Sequence, residues 1–294
     1  MAQNQREREA AGARERANQA APTRVTGNQP IRDVPVLVVI AAIITLLFIV
    51  APLLALAGRV EWSALTEQLT SPSTLVSLGL SLGTAFAATI VCALLGVPLA
   101  MWTARLSPTA AAAARAVVLV PMLMPPLVGG LALLALFGRN GAVGHLFTSL
   151  TGEQIPFSTA AVVIAQSYVA LPFFVLAVEQ AIRAVDPRLE LVARGLGASR
   201  GRVWWRITLP LIAPAIASGA MLSFSRALAE FGATAMFAGN REGITRTMPL
   251  SIYTAFNGGG VSAQEAYTLS LILITAAVIV MVALRSWRVG GERR

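Results

Sequence analysis

Six long apolar stretches, separated by short polar segments, dominate the pattern of the chain. Each holds about the 20 helical residues needed to cross a hydrocarbon core roughly 30 Å thick. Their approximate limits are 34–57, 76–101, 113–137, 158–182, 209–237 and 266–284. Because lipid offers no partners to backbone N–H and C=O groups, such stretches cross it as helices. The sequence therefore predicts an all-α, polytopic membrane protein with about six transmembrane helices.

The two ends of the chain are polar. Residues 1–33 are rich in Arg, Glu, Gln, Ala and Asn without apolar periodicity, a composition that predicts a disordered cytoplasmic tail. The apolar stretch that follows is longer than that of a secretory signal, so we interpret it as an anchor. The predicted organisation is a tail over 1–33, a transmembrane domain over 34–285 with a surface loop over 186–208, and a second cytoplasmic tail over 286–294.

The arginines are distributed unevenly between the two sides of the predicted spans. Eighteen lie before the first span, in the second and fourth connections, or after the last span. The other connections contain Arg59, Arg139, Arg241 and Arg246. By the positive-inside rule, this bias places both termini in the cytoplasm. The expected location is a multi-pass position in the plasma or inner membrane of a cell.

Composition excludes several classes of protein. With 56% hydrophobic and 13% charged residues, the chain is too apolar for a soluble domain. Its net charge of +9 is spread between apolar runs, so nucleic acid is not an expected partner. All 23 basic residues are arginine, which excludes a lysine-containing phosphate loop. One cysteine, Cys92, and one histidine, His145, provide neither a disulfide nor a metal site. We expect no catalytic residue, metal or cofactor in this chain.

Proline and glycine interrupt several predicted spans. A proline within a span leaves a backbone carbonyl without its helical partner, which is tolerated only beside protein or water. Packing kinks would account for any one of these residues, but their clustering in adjacent spans favours a substrate path. They are Pro121, Pro125, Pro126, Gly129 and Gly130 in the third span, Pro172 in the fourth, and Pro210 and Pro214 in the fifth.

The connection over 186–208 has a helical pattern of its own. Pro187 is well placed to begin a helix after Asp186, and Gly197 is placed to end it. Such a helix, followed by a second short segment with Val203 and Trp204, is suited to dock into a groove on a soluble partner. A helix that lies on the lipid surface is the alternative. The apolar face of the first helix comprises Leu189, Val192, Ala193 and Leu196.

This loop resembles the cytoplasmic loop of the permeases of ATP-binding-cassette (ABC) importers. That loop reads EAA, three residues, Gly, nine residues, Ile-x-Leu-Pro. The second half matches in full, with Gly197 followed after nine residues by Ile207, Thr208, Leu209 and Pro210.

The first half of the motif departs from the family pattern. The positions of the EAA triplet hold Leu191, Val192 and Ala193, and an acidic residue, Glu190, comes one place earlier. The resemblance implies that this loop couples the permease to its ATPase. The implied coupling residues are Glu190, Leu191, Val192, Ala193, Gly197, Ile207, Leu209 and Pro210.

Two further regions resemble the permeases of molybdate and tungstate importers, and sulfate permeases diverge more there. They comprise residues 125–130 with 137–141, and 226–234 with 237–240 and 245–250. The resemblance implies a type I ABC importer permease fold and a homodimer around a central pathway. It also implies two ATPase subunits that bind ATP and Mg, and an external binding protein that delivers the oxyanion. Molybdate or tungstate is the expected substrate, and a sulfate or thiosulfate permease is the alternative.

Arg226 and Glu230 are charged residues within the predicted fifth span. Four residues apart on a helix, they share a face, and an unpaired charge would be costly there. We therefore expect them to pair or to contact water. Two interpretations stay open: the pair locks helices together, or it borders a gate where Arg226 offers its forked donors to a passing dianion. The expected pathway residues are Arg226, Glu230, Gly232 and Thr234.

Two rival functions lie outside this family. An ion-coupled secondary transporter would use intramembrane acids or histidines, and here only Glu230 and Glu179 qualify. We expect Glu179, near the cytoplasmic end of the fourth span, to pair with a loop arginine instead. An intramembrane enzyme would need a mid-span histidine, paired aspartates or a lysine base, which the sequence lacks. Neither rival explains the patterned loop.

Overall fold

The computed structural model describes residues 35–258 and 263–289, and this part of the chain is helical. The predicted all-α class is confirmed. The tail predicted over 1–33 and the end of the C-terminal tail lie outside the described residues. The helices are α1 (Val36–Ala57), α2 (Leu65–Thr70), α3 (Pro72–Ala104), α4 (Pro108–Leu123), α5 (Pro126–Phe137), α6 (Ala142–Thr151), α7 (Thr159–Ala184), α8 (Pro187–Gly195), α9 (Arg200–Val203), α10 (Leu209–Leu228), α11 (Gly232–Phe237), α12 (Met248–Phe256) and α13 (Ala263–Val289).

Five helical stretches are long and apolar enough to cross a membrane. A sixth candidate is the pair α4 and α5, which are bent by 108° at the break between them. If the bent pair is one span, the total is the six that the apolar pattern predicts. The five single stretches are Val36–Ala57, Pro72–Ala104, Thr159–Ala184, Arg200–Leu228 and Gln264–Ala283.

The chain divides into two compact units, with the boundary after Leu53 near the end of α1. α1 has 22 residues and no charged side chain. It satisfies the length and composition of a span by itself. The other helices belong to the second unit.

Helices α3, α7 and α10 pack together at the centre of the second unit. The fully buried ring of Phe174 in α7 lies against a glycine on each neighbour. A Cβ atom on Gly96 of α3 would come within 2.5 Å of this ring, and one on Gly219 of α10 within 3.3 Å. Without a hydrophobic effect between helices in lipid, close approach through small residues is what holds such a bundle together.

The prolines in the spans have different effects. The third span breaks as expected, since α4 ends at Leu123 and α5 begins at Pro126. α7 continues through Pro172 and α10 through Pro214, so the expectation of breaks at these two positions is wrong. Pro210 follows a π-helical turn over Trp204–Thr208 that joins α9 to α10. This wider turn accommodates a residue that has no backbone N–H to donate.

Candidate functional site

The fifth span ends earlier than the predicted 209–237. α10 stops at Leu228, and a short connection leads to α11, which begins at Gly232. Glu230 therefore lies beyond the helix, and its predicted position within the span is wrong. Its carboxylate Oε1 accepts a hydrogen bond of 2.8 Å from the backbone N–H of Ala233. This contact satisfies one of the free N–H groups at the start of α11 and so favours the break.

Arg226 and Glu230 nevertheless pair, as predicted. The distance from Nη2 of Arg226 to Oε2 of Glu230 is 2.6 Å. The side chain of Glu230 is 1% exposed, whereas that of Arg226 is 27% exposed. Both oxygens of the buried carboxylate are thus engaged, one by the guanidinium and one by Ala233. A buried charge needs such compensation, whether the pair acts as a lock or as a gate.

The break after α10 packs directly against the break between α4 and α5. α11 lies on α5, and two glycines allow this close contact. A Cβ atom on Gly232 would come within 2.5 Å of Cβ of Pro126. A Cβ atom on Gly130 would come within 2.8 Å of the carbonyl oxygen of Ala233. The interruptions of the third and fifth spans therefore form one structural unit, which we call the paired breaks (residues 124–130 and 229–237).

A cavity of about 280 Å³ lies beside the paired breaks. Arg226 is the one charged residue among the described residues that line it. Arg226 thus brings N–H donors to an otherwise apolar wall, although its charge is largely compensated by Glu230. The cavity is lined by Pro121, Met122, Met124, Pro125, Pro126, Gly129, Val169, Phe173 and Arg226.

Of the four expected pathway residues, Arg226 lines this cavity. Glu230, Gly232 and Thr234 are buried within the paired breaks. The hydroxyl of Thr234 has no hydrogen-bond partner among the described residues. Sequence reasoning missed Val169 and Phe173 as lining residues, since nothing marks them within an apolar run. Pro125 and Pro126 also line the cavity, and this proline pair was the one feature of the sequence that pointed to it.

The first helix of the surface loop, α8, begins and ends where the sequence predicted. The carboxylate of Asp186 accepts a hydrogen bond of 2.9 Å from the backbone N–H of Arg188, so it caps α8 ahead of Pro187. Gly197 has a φ of +83°, a conformation that favours glycine. The backbone N–H of Ala198 then reaches the carbonyl of Ala193 at 3.0 Å, which closes the helix.

The two faces of α8 differ. The apolar side chains of Leu189, Val192 and Leu196 are 47%, 64% and 84% exposed. On the opposite face, Glu190 accepts a hydrogen bond of 3.1 Å from the hydroxyl of Thr208. Glu190 thus ties α8 to the π-helical turn within the same chain. Of the other expected coupling residues, Leu191 and Pro210 are exposed, and Ala193, Ile207 and Leu209 are half-buried.

Glu179 joins three helices. Its Oε1 accepts hydrogen bonds of 2.9 Å from Nε of Arg115 in α4 and from Nε of Arg183 in α7. Nη2 of Arg183 also donates to the carbonyl of Thr103 at the end of α3, at 2.9 Å. The expected pairing with arginine is confirmed, but both partners lie in helices and not in a loop. Each arginine lies at the edge of a predicted span, so the sequence did not show that it belongs to a helix.

Solved structures of ABC transporters contain chains with this fold. One similar structure is a bacterial alginate ABC transporter in complex with a pentasaccharide-bound periplasmic protein. Its TM-score is 0.67 at 14% identity, over 85% of this chain and 91% of that chain. Another is an inward-facing methionine ABC transporter, with a TM-score of 0.54 at 18% identity, over 74% of this chain and 97% of that one. Identities this low establish the fold alone.

Sequence comparison identifies the family. This chain belongs to the binding-protein-dependent transport system inner membrane components, whose family model matches residues 96–288. It is 45% identical over 252 residues to a molybdenum transport system permease of Mycobacterium tuberculosis, covering 86% of this chain and 94% of the relative. A putative molybdenum permease of Bacillus subtilis is 34% identical over 67% of this chain and 86% of its own length. The chain is thus a multi-pass membrane protein of the permease class.

Proposed function

We propose that the chain is the permease subunit of an ABC importer for a tetrahedral oxyanion, with molybdate as the substrate. The observation that carries this proposal is the 45% identity to the mycobacterial molybdenum permease over 94% of that relative. The relative in Bacillus subtilis supports the same substrate. An arginine that faces a cavity in the membrane region agrees with an anionic cargo.

The exposed surface of the loop over 186–208 and the composition of the chain indicate the proposed partners. In this proposal, ATPase subunits dock on the exposed face of Leu189, Val192 and Leu196 in the cytoplasm, where both termini also lie. The chain contains no lysine for a phosphate loop, so ATP and Mg bind to the ATPase. A second copy of the chain completes the pathway, and an external binding protein delivers the oxyanion. The similar alginate transporter, which was solved with its periplasmic protein, supports this arrangement.

The paired breaks are the proposed gate. Arg226 supplies one positive group to the pathway, and Glu230 neutralises most of its charge from behind. A transport site must attract an ion and yet release it, so a partly neutralised arginine suits this task better than a free one. The ATP-bound ATPases and the loaded binding protein would prefer different states of the gate, and this difference drives the exchange.

Transport by reconstituted protein tests the proposal. Proteoliposomes that contain the chain, its cognate ATPase and its binding protein should accumulate molybdate when ATP is supplied, and omission of any component should abolish uptake. Tungstate should compete, and sulfate should compete less. Uptake of sulfate in preference to molybdate would contradict the assignment of molybdate as the substrate. Uptake driven by an ion gradient without the ATPase would contradict the class of transporter.

ATP hydrolysis gives a second test. The purified chain alone should not hydrolyse ATP, and the assembled complex should. ATP hydrolysis by the chain alone, in a preparation free of ATPase, would contradict the proposal that a separate subunit hydrolyses ATP.

A further inference from the structure

A cavity of about 580 Å³ lies where the surface loop meets the end of the second span. Three arginines from three elements border it: Arg105 directly after α3, Arg194 in the last turn of α8, and Arg200 at the start of α9. The remaining lining residues are Met101, Glu190, Gly201, Val203 and Trp204. Residues far apart in sequence therefore converge on one basic chamber, which we call the arginine cavity.

The positive charge of the arginine cavity exceeds the negative charge that the described residues bring to it. Arg194 and Arg200 form no ion pair or side-chain hydrogen bond with any residue that the structure describes. Oε1 of Glu190 forms an ion pair of 3.8 Å with Nη2 of Arg105 and also accepts a hydrogen bond from Thr208. Three guanidinium groups against one carboxylate still leave an excess of positive charge, which an anion would complement.

The arginine cavity lies on the side of α8 that faces away from the proposed ATPase surface. Successive residues of a helix are about 100° apart, so Glu190 and Arg194 share one face. The exposed apolar residues Leu189, Val192 and Leu196 occupy the opposite face. An ATPase docked on the apolar face would therefore leave the arginine cavity free for another ligand.

The lining also has an apolar part. Val203 is 4% exposed, and Met101 and Trp204 are half-buried. A small inorganic anion would fill a minor part of 580 Å³ and would leave this wall without a partner. A phospholipid head group brings a phosphate for the arginines and a glycerol and acyl region for the apolar wall. Basic pockets at the ends of transmembrane helices bind such head groups.

We propose that the arginine cavity binds a phosphate-bearing anion, namely the head group of an anionic phospholipid. Arg194 and Arg200 would hold the phosphate through their forked N–H groups, and Trp204 would contact the lipid beyond it. Free phosphate shares the recognition chemistry and is the other possible source. The proposal concerns a site apart from the transport pathway and does not depend on the transported oxyanion.

Lipid titration of the purified full-length chain tests this site. Soluble short-chain phosphatidylglycerol is added, with phosphatidylcholine of the same chain length and inorganic phosphate in separate arms, and the shift in thermal unfolding temperature gives each affinity. The wild type should bind phosphatidylglycerol more tightly than either of the others. The double variant Arg194→Gln/Arg200→Gln should lose about tenfold or more in affinity for each arginine removed.

The loop offers a matched control. Arg188 and Arg202 are exposed, as Arg194 and Arg200 are, but they do not line the cavity. Arg188→Gln/Arg202→Gln therefore removes the same charge from the same loop and should keep wild-type affinity. If both double variants lose affinity equally, the effect is a diffuse charge effect and the proposal is wrong. If phosphate alone binds, and binds in a manner that needs Arg194 and Arg200, the anion site stands but its assignment to a lipid head group is wrong.

A second variant guards against misfolding. Arg194→Lys/Arg200→Lys keeps both charges but loses the forked geometry, so it should fold and still bind phosphatidylglycerol more weakly than the wild type. Wild-type affinity in this lysine variant would contradict the assigned role of the two guanidinium groups.

Discussion

Glu230 is buried, while its partner Arg226 keeps about a quarter of its side chain exposed. The two atoms that join them, Oε2 and Nη2, are 2.6 Å apart. Loss of the arginine would therefore leave a carboxylate that cannot reach water. Loss of the glutamate would leave a guanidinium that can still turn toward the cavity.

This asymmetry predicts different costs for the two halves of the pair. Arg226→Ala should lower the free energy of unfolding by about 3–5 kcal/mol, because it strands a buried charge. Glu230→Gln keeps an oxygen that can accept from Ala233 and leaves a partly hydrated cation, so it should cost less. Thermal unfolding in detergent measures both variants. Equal costs, or a larger cost for Glu230→Gln, would contradict the asymmetry.

Adjacent glycines in α5 should respond differently to a methyl group. A Cβ atom on Gly130 would lie 2.7 Å from Cβ of Met236, so Gly130→Ala should separate α5 from α11 and cost about 1–3 kcal/mol. On Gly129 the nearest heavy atom is 3.7 Å away, in the ring of Tyr168. Gly129→Ala is therefore the matched control and should behave like the wild type. If it proved as harmful as Gly130→Ala, the close contact would not be the cause.

Gly197 and Gly195 give a similar comparison at the surface loop. Gly197→Ala places a side chain at a positive φ and should destabilise the end of α8 by about 1–2 kcal/mol. Gly195 is the last residue of α8 and has open space around it, so Gly195→Ala should be neutral or slightly stabilising. Co-purification with the cognate ATPase should weaken for Gly197→Ala only. Normal assembly of that variant would show that the end of α8 does not determine docking.

The carboxylate of Glu179 should stabilise the contact between three helices. Glu179→Gln removes the charge that Arg115 and Arg183 share but leaves two partly exposed cations, so it should cost about 1–3 kcal/mol. Gln180→Ala, which changes an exposed neighbour, should have little effect. Thermal unfolding of the two variants is measured side by side. Equal stability would show that the carboxylate of Glu179 does not stabilise this contact.

Local chemistry made much of this structure predictable. The apolar runs indicated the spans, and Asp186, Pro187 and Gly197 indicated both ends of α8, because caps and positive-φ glycines depend on neighbouring residues only. The pair of Arg226 and Glu230 followed from the cost of an unpaired charge in lipid, although Glu230 lies beyond the helix that the prediction assumed. The proline pair at 125 and 126 indicated a break, although not its angle.

The remaining features depend on contacts between distant parts of the chain. α10 ends at Leu228, and Gly232 after it packs against Pro126, a residue far away in the sequence. The hydrogen bond between Glu190 and Thr208 joins residues 18 positions apart. Arg105 reaches the arginine cavity from another element altogether. Hydrophobic and polar patterns along the sequence do not show which distant residues come into contact.

Transport by the double variant Arg226→Ala/Glu230→Ala tests the proposed gate most directly. Removal of both charges leaves no stranded partner, so this variant should fold better than Arg226→Ala. Its passive molybdate leak and its ATP-driven uptake are then measured in proteoliposomes that contain the ATPase and the binding protein. If the paired breaks gate the pathway, uptake is lost or the leak rises in a folded, assembled complex. Uptake and leak both equal to the wild type would contradict the gate and leave the pair as a structural lock.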